Sequence, residues 1–168
     1  MRNKALLASA ALTIFISGCK KENAYTAYDN QAFHIEYPKT WESVENAFEV
    51  VPFAAYGAEG GQMIAVRTRL LDSVPENERT LEAFTDSRIK DFEESIINFQ
   101  LQKRENTDDG AIILHFTSGE KESENSTFYE SLMKLAFKDN LFYGVECAAA
   151  DKAEKDTADH IIRSFCLK

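Results

Sequence analysis

The sequence predicts a single α+β domain, a mostly antiparallel twisted β-sheet flanked by helices. Three observations predict it. A chain of 168 residues has the length of one domain. Seven segments read as strands, and most are joined by tight turns that suit antiparallel neighbours. Two further segments carry the apolar spacing of amphipathic helices.

The elements follow in order. Residues 33–37 (FHIEY) alternate apolar and polar side chains, the mark of a half-buried strand, and Pro38 ends it. Trp41 falls at a turn. Residues 48–56 and 62–70 read as the next two strands, turning through Gly57, Gly60 and Gly61. Residues 72–79 are a polar connection. Thr80 caps a helix whose inward stripe is Leu81, Phe84, Ile89, Phe92 and Ile96. Strands over 98–103 and 111–117 are joined by Thr107-Asp108-Asp109-Gly110. After a polar loop, strands over 127–138 and 141–149 pair through Asp139-Asn140. A helix over 151–164 closes the chain, with Ala158, Ile161, Ile162 and Phe165 facing inward.

Composition narrows the function classes. Hydrophobic residues are 44% of the chain and charged residues 28%, too apolar for a disordered protein. Nineteen lysines and arginines against 28 acids leave a formal charge of −9. That balance excludes nucleic acid as an expected partner, because phosphate binding needs clustered cations. It equally disfavours an electrostatic grip on anionic lipid.

The N-terminus points to another kind of membrane attachment. Arg2 and Lys4 precede an uncharged, largely apolar run over 5–16. As a helix it spans roughly 18 Å, short of a bilayer core of about 30 Å, so a signal segment fits better than a transmembrane helix. Ile16-Ser17-Gly18-Cys19 then resembles the lipobox of bacterial lipoproteins. The resemblance implies a signal peptide over 1–18, and Cys19 carrying the acyl chains as the mature N-terminus. Residues 19–30 are read as the lipidated cysteine and a flexible polar tether, and 31–168 as the domain. The implied location is the bacterial cell envelope. Lys20, where enteric-type sorting retains lipoproteins with aspartate, favours the outer membrane if the host is Gram-negative.

Cys147 and Cys166 make an even pair in an exported chain, which permits a disulfide; two free thiols are the alternative. Neither belongs to a metal or redox motif.

Two segments carry a family resemblance. Phe33-His34-Ile35-Glu36-Tyr37-Pro38-Lys39-Thr40-Trp41 resembles the opening of PsbP-like and DcrB-like domains, and Ile161-Ile162-Arg163-Ser164-Phe165 is similar to their final helix. The resemblance implies an antiparallel sheet flanked by helices, no catalytic residues, and an accessory, adaptor or assembly role.

The residues themselves offer little chemistry. There is no Walker loop, and no Gly-x-Ser-x-Gly elbow. His34, His115 and His160 are far apart, and the first two share a parity opposite to their apolar neighbours. Glu120, Glu122 and Glu124 read as a solvated loop tip, Asp108-Asp109-Gly110 as a turn. No cofactor, metal or catalytic residue is assigned. The leading expectation is a non-catalytic lipoprotein that binds an envelope protein partner, with Tyr56 beside the glycine turn as an example of a contact residue. The alternative is a small-ligand or metal-binding lipoprotein using a pocket between sheet and helix, with His115 or acidic groups converging there.

Overall fold

Alternating apolar positions dictate two sheets. The computed structural model describes residues 24–57, 62–119, 128–149 and 152–168. Strand β1 (Tyr25–Asp29) pairs with β2 (Phe33–Pro38), whose other edge takes the short C-terminal β10 (Cys166–Leu167). The large sheet begins as a meander of β3 (Glu42–Phe48), β4 (Val51–Tyr56) and β5 (Met63–Leu70). Helix α1 (Leu81–Ser95) leads to a second meander of β6 (Gln100–Asn106), β7 (Ile112–Gly119), β8 (Phe128–Lys138) and β9 (Leu141–Ala149). Helix α2 (Lys152–Ser164) follows. The meanders join along β5 and β9, giving an all-antiparallel order β3-β4-β5-β9-β8-β7-β6. This is the α+β architecture expected from the sequence.

Local chemistry explains the joints. Asp139 and Asn140 both adopt positive φ (51° and 61°), the conformation a two-residue β8–β9 hairpin requires. Thr80 accepts a 3.2 Å hydrogen bond from the Ala83 amide and starts α1. Gly110, at φ 76°, lets the β6–β7 turn close through a bond from the Gly110 amide to the Thr107 carbonyl.

Each face of the large sheet carries its own core. On one, Phe33, Ile35 and Tyr37 of β2 and Ala158, Ile161, Ile162 and Phe165 pack over Phe53, Ile64, Val66 and Val145. The helical stripe expected from sequence is buried throughout, and Trp41 packs at its margin. On the other, Phe84 stacks on Phe142 at 4.1 Å over Ile112, Leu114, Phe116, Met133 and Leu135. Both clusters draw on residues from Tyr28 to Leu167.

Two expectations are corrected. The tether expected over 19–30 is strand from Tyr25 to Asp29, held because Tyr28 stacks on Phe53 at 4.4 Å; residues before 24 lie outside the described ones. The strand expected over 48–56 is the end of one strand, a turn and a second strand. Glu42–Phe48 shows no core pattern because it is an edge strand exposed along most of its length.

Lys134 is a cation inside the first core, 3% exposed between Leu132 and Ala136. Its Nζ donates to Asp109 Oδ2 at 2.8 Å and to the Phe165 carbonyl at 2.7 Å. Burial opposes the Asp109 charge, yet the Lys134 ammonium and the Thr107 hydroxyl outweigh it and hold the carboxyl below its usual value. Asp109→Ala strands a buried ammonium with a single carbonyl. We expect a loss of about 2 kcal/mol in urea unfolding, less than for a fully buried pair because Asp109 is partly solvated. Lys134→Met, which removes the charge, is expected to cost less. Equal costs would show that the ion pair is not what Asp109 supplies.

Candidate functional site

The residues singled out from sequence go to different places. Cys19 and the glutamates at 120, 122 and 124 lie outside the described residues. His34 and His160 converge on one carboxylate: His160 Nε2 lies 2.7 Å from Glu36 Oε2, and His34 Nε2 lies 3.8 Å from Glu36 Oε1. Tyr25 stacks on His160 at 3.8 Å. The spacing of His34 and Glu36 on one side of β2 was legible; the arrival of His160 was not. Among the described residues, no three His, Cys, Asp or Glu side chains form a metal-holding group.

His115 stands apart, in a polar cleft of about 510 Å³ between α2 and strands β6–β8. Glu130, Asp156 and Asp159 line the same cleft. Its Nε2 is buried without a hydrogen bond, 3.8 Å from Glu105 Oε2. Burial lowers the His115 pKa and Lys103 adds to this, against the pull of Glu105. Glu105 is bound instead by Arg163 at 3.0 Å and Lys103 at 2.6 Å, which bring its carboxyl down to about 2. Two of these acids are themselves engaged: Glu130 by Lys155, and Asp159 by Arg163.

The expected disulfide is absent. Cys147 and Cys166 are free thiols, the first fully buried and the second exposed. Alternation supplies the reason. Cys147 takes an inward position on β9, whereas Phe165 fills the inward position at the end of α2 and turns Cys166 outward. Burial pushes the Cys147 thiol up to about 12, with Glu146 and Glu154 adding to the shift.

The face carrying α1 is unequally covered. Directly opposed residues share a side of the sheet, and one such row runs Val44, Ala54, Ala65, Glu146, Met133, Leu114. Its far end lies under α1, but no residue of β3, β4 or β5 belongs to that core. On this uncovered half Val44, Tyr56 and Met63 stay 43%, 37% and 47% exposed around a floor of Ala54 and Ala65. Beyond them, β3 pairs with β4 alone among the described strands, and its free edge carries Glu42 and Glu45.

At the border between covered and open halves lies a cavity of about 360 Å³. Phe84, Phe92, Leu135 and Phe142 line it together with Arg67, Arg69 and Arg88. The sequence held a signal for these arginines. Arg67 and Arg69 alternate on an apolar strand, and Arg88 stands four residues from both Phe84 and Phe92, inside the helix's apolar stripe.

No protein-family model matches the chain, and no curated protein matches it. Solved structures do. The cyanobacterial PsbP protein CyanoP from Synechocystis superposes with a TM-score of 0.59 at 15% identity, over 90% of this chain and 96% of that one. The fold is PsbP-like. The Ran-binding protein Mog1p of Saccharomyces cerevisiae shares the PsbP-like fold at a TM-score of 0.57 and 9% identity, over 85% of this chain and 95% of its own. LpqN of Mycobacterium tuberculosis, involved in cell envelope biogenesis, does so at 0.51 and 11%, over 86% and 90%.

Two measurements check this geometry. In the chain from Lys20 onward, one thiol should react with a disulfide reagent in the native state and the second only after unfolding; a disulfide would leave neither reactive. For His115 the folded pKa lies below the unfolded one, so the unfolded chain takes up the proton first. Its contribution is intact above the unfolded value of about 6.5 and is lost as the pH falls through it. Unfolding free energy should drop between about pH 7.5 and about pH 5.5, and His115→Gln should flatten that drop.

Proposed function

We propose that this protein is a non-catalytic, lipid-anchored envelope protein that holds a partner protein on the open half of its large sheet. The observation that carries the reading is the apolar group Val44, Tyr56 and Met63 beside the free edge of β3. Tyr56 is the contact residue expected from the glycine turn. A free edge offers backbone hydrogen bonds to an added strand, and apolar side chains at its margin supply affinity. Glu42 and Glu45 choose the partner's chemistry. They repel a second copy of the same acidic edge and favour an extended segment bearing lysine or arginine.

The sequence supports the anchor. Acyl chains on Cys19 place the domain close to the membrane, and Lys20 favours the outer membrane in a Gram-negative host with enteric-type sorting. Fold-level analogy adds modest support, since Mog1p is a Ran-binding protein and LpqN takes part in cell envelope biogenesis.

Native mass spectrometry of the full protein, extracted in mild detergent from its own membranes, tests both parts. We expect an acylated Cys19 and a protein partner at fixed stoichiometry, lost in the Val44→Glu, Tyr56→Glu double variant. Retention of the partner by that variant moves the interface elsewhere. A protein arriving without any partner ends the docking reading, and the absence of acyl mass at Cys19 ends the anchored one.

A further inference from the structure

The cavity beside α1 has a chemistry that the docking face does not use. Its walls are aromatic and aliphatic: Phe84, Phe92, Met133, Leu135 and Phe142. Three guanidiniums line the same space, in a protein whose net charge is −9. None of the three is fully satisfied. Arg88 pairs with Asp91 through one nitrogen, yet its Nε is buried without a hydrogen bond and its guanidinium lies 5.7 Å over the Phe84 ring. Arg69 reaches, among the described residues, only the Ser73 carbonyl, at 3.4 Å. Arg67 forms no ion pair with a described residue and feels Glu146 at longer range.

The arginines also oppose one another. Burial lowers the Arg88 pKa, and the neighbouring Arg69 lowers it further against the counter-effect of Glu78. Among the described residues Glu146 is the only carboxyl lining this cavity, and burial raises its pKa more than Arg67 lowers it. Guanidiniums with donors left unused over an apolar floor cost stability in the empty protein. A ligand carrying a negative head and an apolar body relieves that cost at both ends. The planar fork of arginine matches a carboxylate through two hydrogen bonds, and about 360 Å³ lies within the size range of small-molecule sites, about 300–1,000 Å³.

We propose that the cavity between α1 and strands β5, β9 and β8 binds a small amphipathic anion, a single alkyl chain ending in a carboxylate. The chain lies on Phe84, Phe92, Leu135 and Phe142, and the head meets Arg69 and Arg88. Arg67, opposite Gly144 and one pleat along from the Ala65–Glu146 pair, stands at the border with the open sheet. This site is separate from the docking face and does not depend on it.

The test is calorimetric titration of the chain from Lys20 onward, after its cooperative unfolding has been verified, with decanoate below its micelle concentration. Saturable one-to-one binding is expected. Arg69→Gln and Arg88→Gln should each weaken it by about tenfold, the loss of one charge-assisted contact. Glu146→Gln should tighten it, because the competing acid is gone. Arg163→Gln, beside α2 on the other face, should leave it unchanged. Acetate and decyltrimethylammonium separate the two halves of the chemistry, and both should bind at least about tenfold more weakly. Arg69 guards the test against misfolding, since it holds the fold only through its long bond to Ser73. No binding of decanoate at millimolar concentration overturns the proposal. So does equal binding of the cationic amphiphile, or decanoate binding that Arg69→Gln and Arg88→Gln leave untouched.

Discussion

The arrangement depends on one ammonium group inside the sheet. Lys134 projects from β8 into the core beneath α2, where a charge is costly unless fully engaged. Its two partners come from elements far apart in sequence, the β6–β7 turn through Asp109 and the end of α2 through the Phe165 carbonyl. The second partner sits at the negative pole of a helix dipole, where a cation is favoured. One side chain thereby fixes α2 against the second meander. It also sets where Phe165 enters the core, how β10 reaches β2, and which way Cys166 faces.

Coverage of the large sheet follows from this placement. With α2 and the β1-β2-β10 sheet on one face, that face is filled from β4 to β8. Among the described residues the other face has α1 and the connection before it, through Leu71 and Val74, which reach β7, β8 and the start of β9. A seven-stranded sheet with strands roughly 4.8 Å apart is about 29 Å wide, while a helix with its side chains is about 10–12 Å across. One helix cannot cover it. The strands left outside must face solvent or a partner, and theirs are the residues with unused apolar surface: Val44, Tyr56 and Met63.

How much of this was legible in the sequence depended on burial. Strands with at least one buried side were found because the core constrains their apolar pattern: β2, β5, β7 and β9 closely match their expected spans. Strand β3 was missed because both its faces are wet, so nothing constrained its pattern. Strand β1 was read as tether because Tyr25 and Tyr28 fall on no simple repeat, although Tyr28 anchors it on Phe53. The cysteines failed differently. Cys147 was placed in its correct strand and Cys166 just beyond the closing helix, but pairing requires directions in space, and an inward Phe165 makes the next side chain point outward. The meeting of His34, Glu36 and His160 lay beyond reach for the same reason, since it joins residues more than a hundred positions apart.

The arginines around α1 show what sequence patterns can carry when a rule is broken. A charged residue within an apolar stripe contradicts the periodicity that defines the stripe, and such conflicts mark functional or strained places. Arg88 breaks the stripe of α1, and Arg67 and Arg69 break the apolar character of β5. Each exception alone has a simple explanation, because a long side chain can lay its stem on apolar surface and extend its head to water. Register removes that explanation for the group. Arg67 lies opposite Gly144 and Arg69 opposite Phe142, which directs both toward the side where Arg88 descends. Three exceptions in two elements thus converge on one cavity whose lining offers a single carboxyl among the described residues, and the positive field they create is a property of the fold.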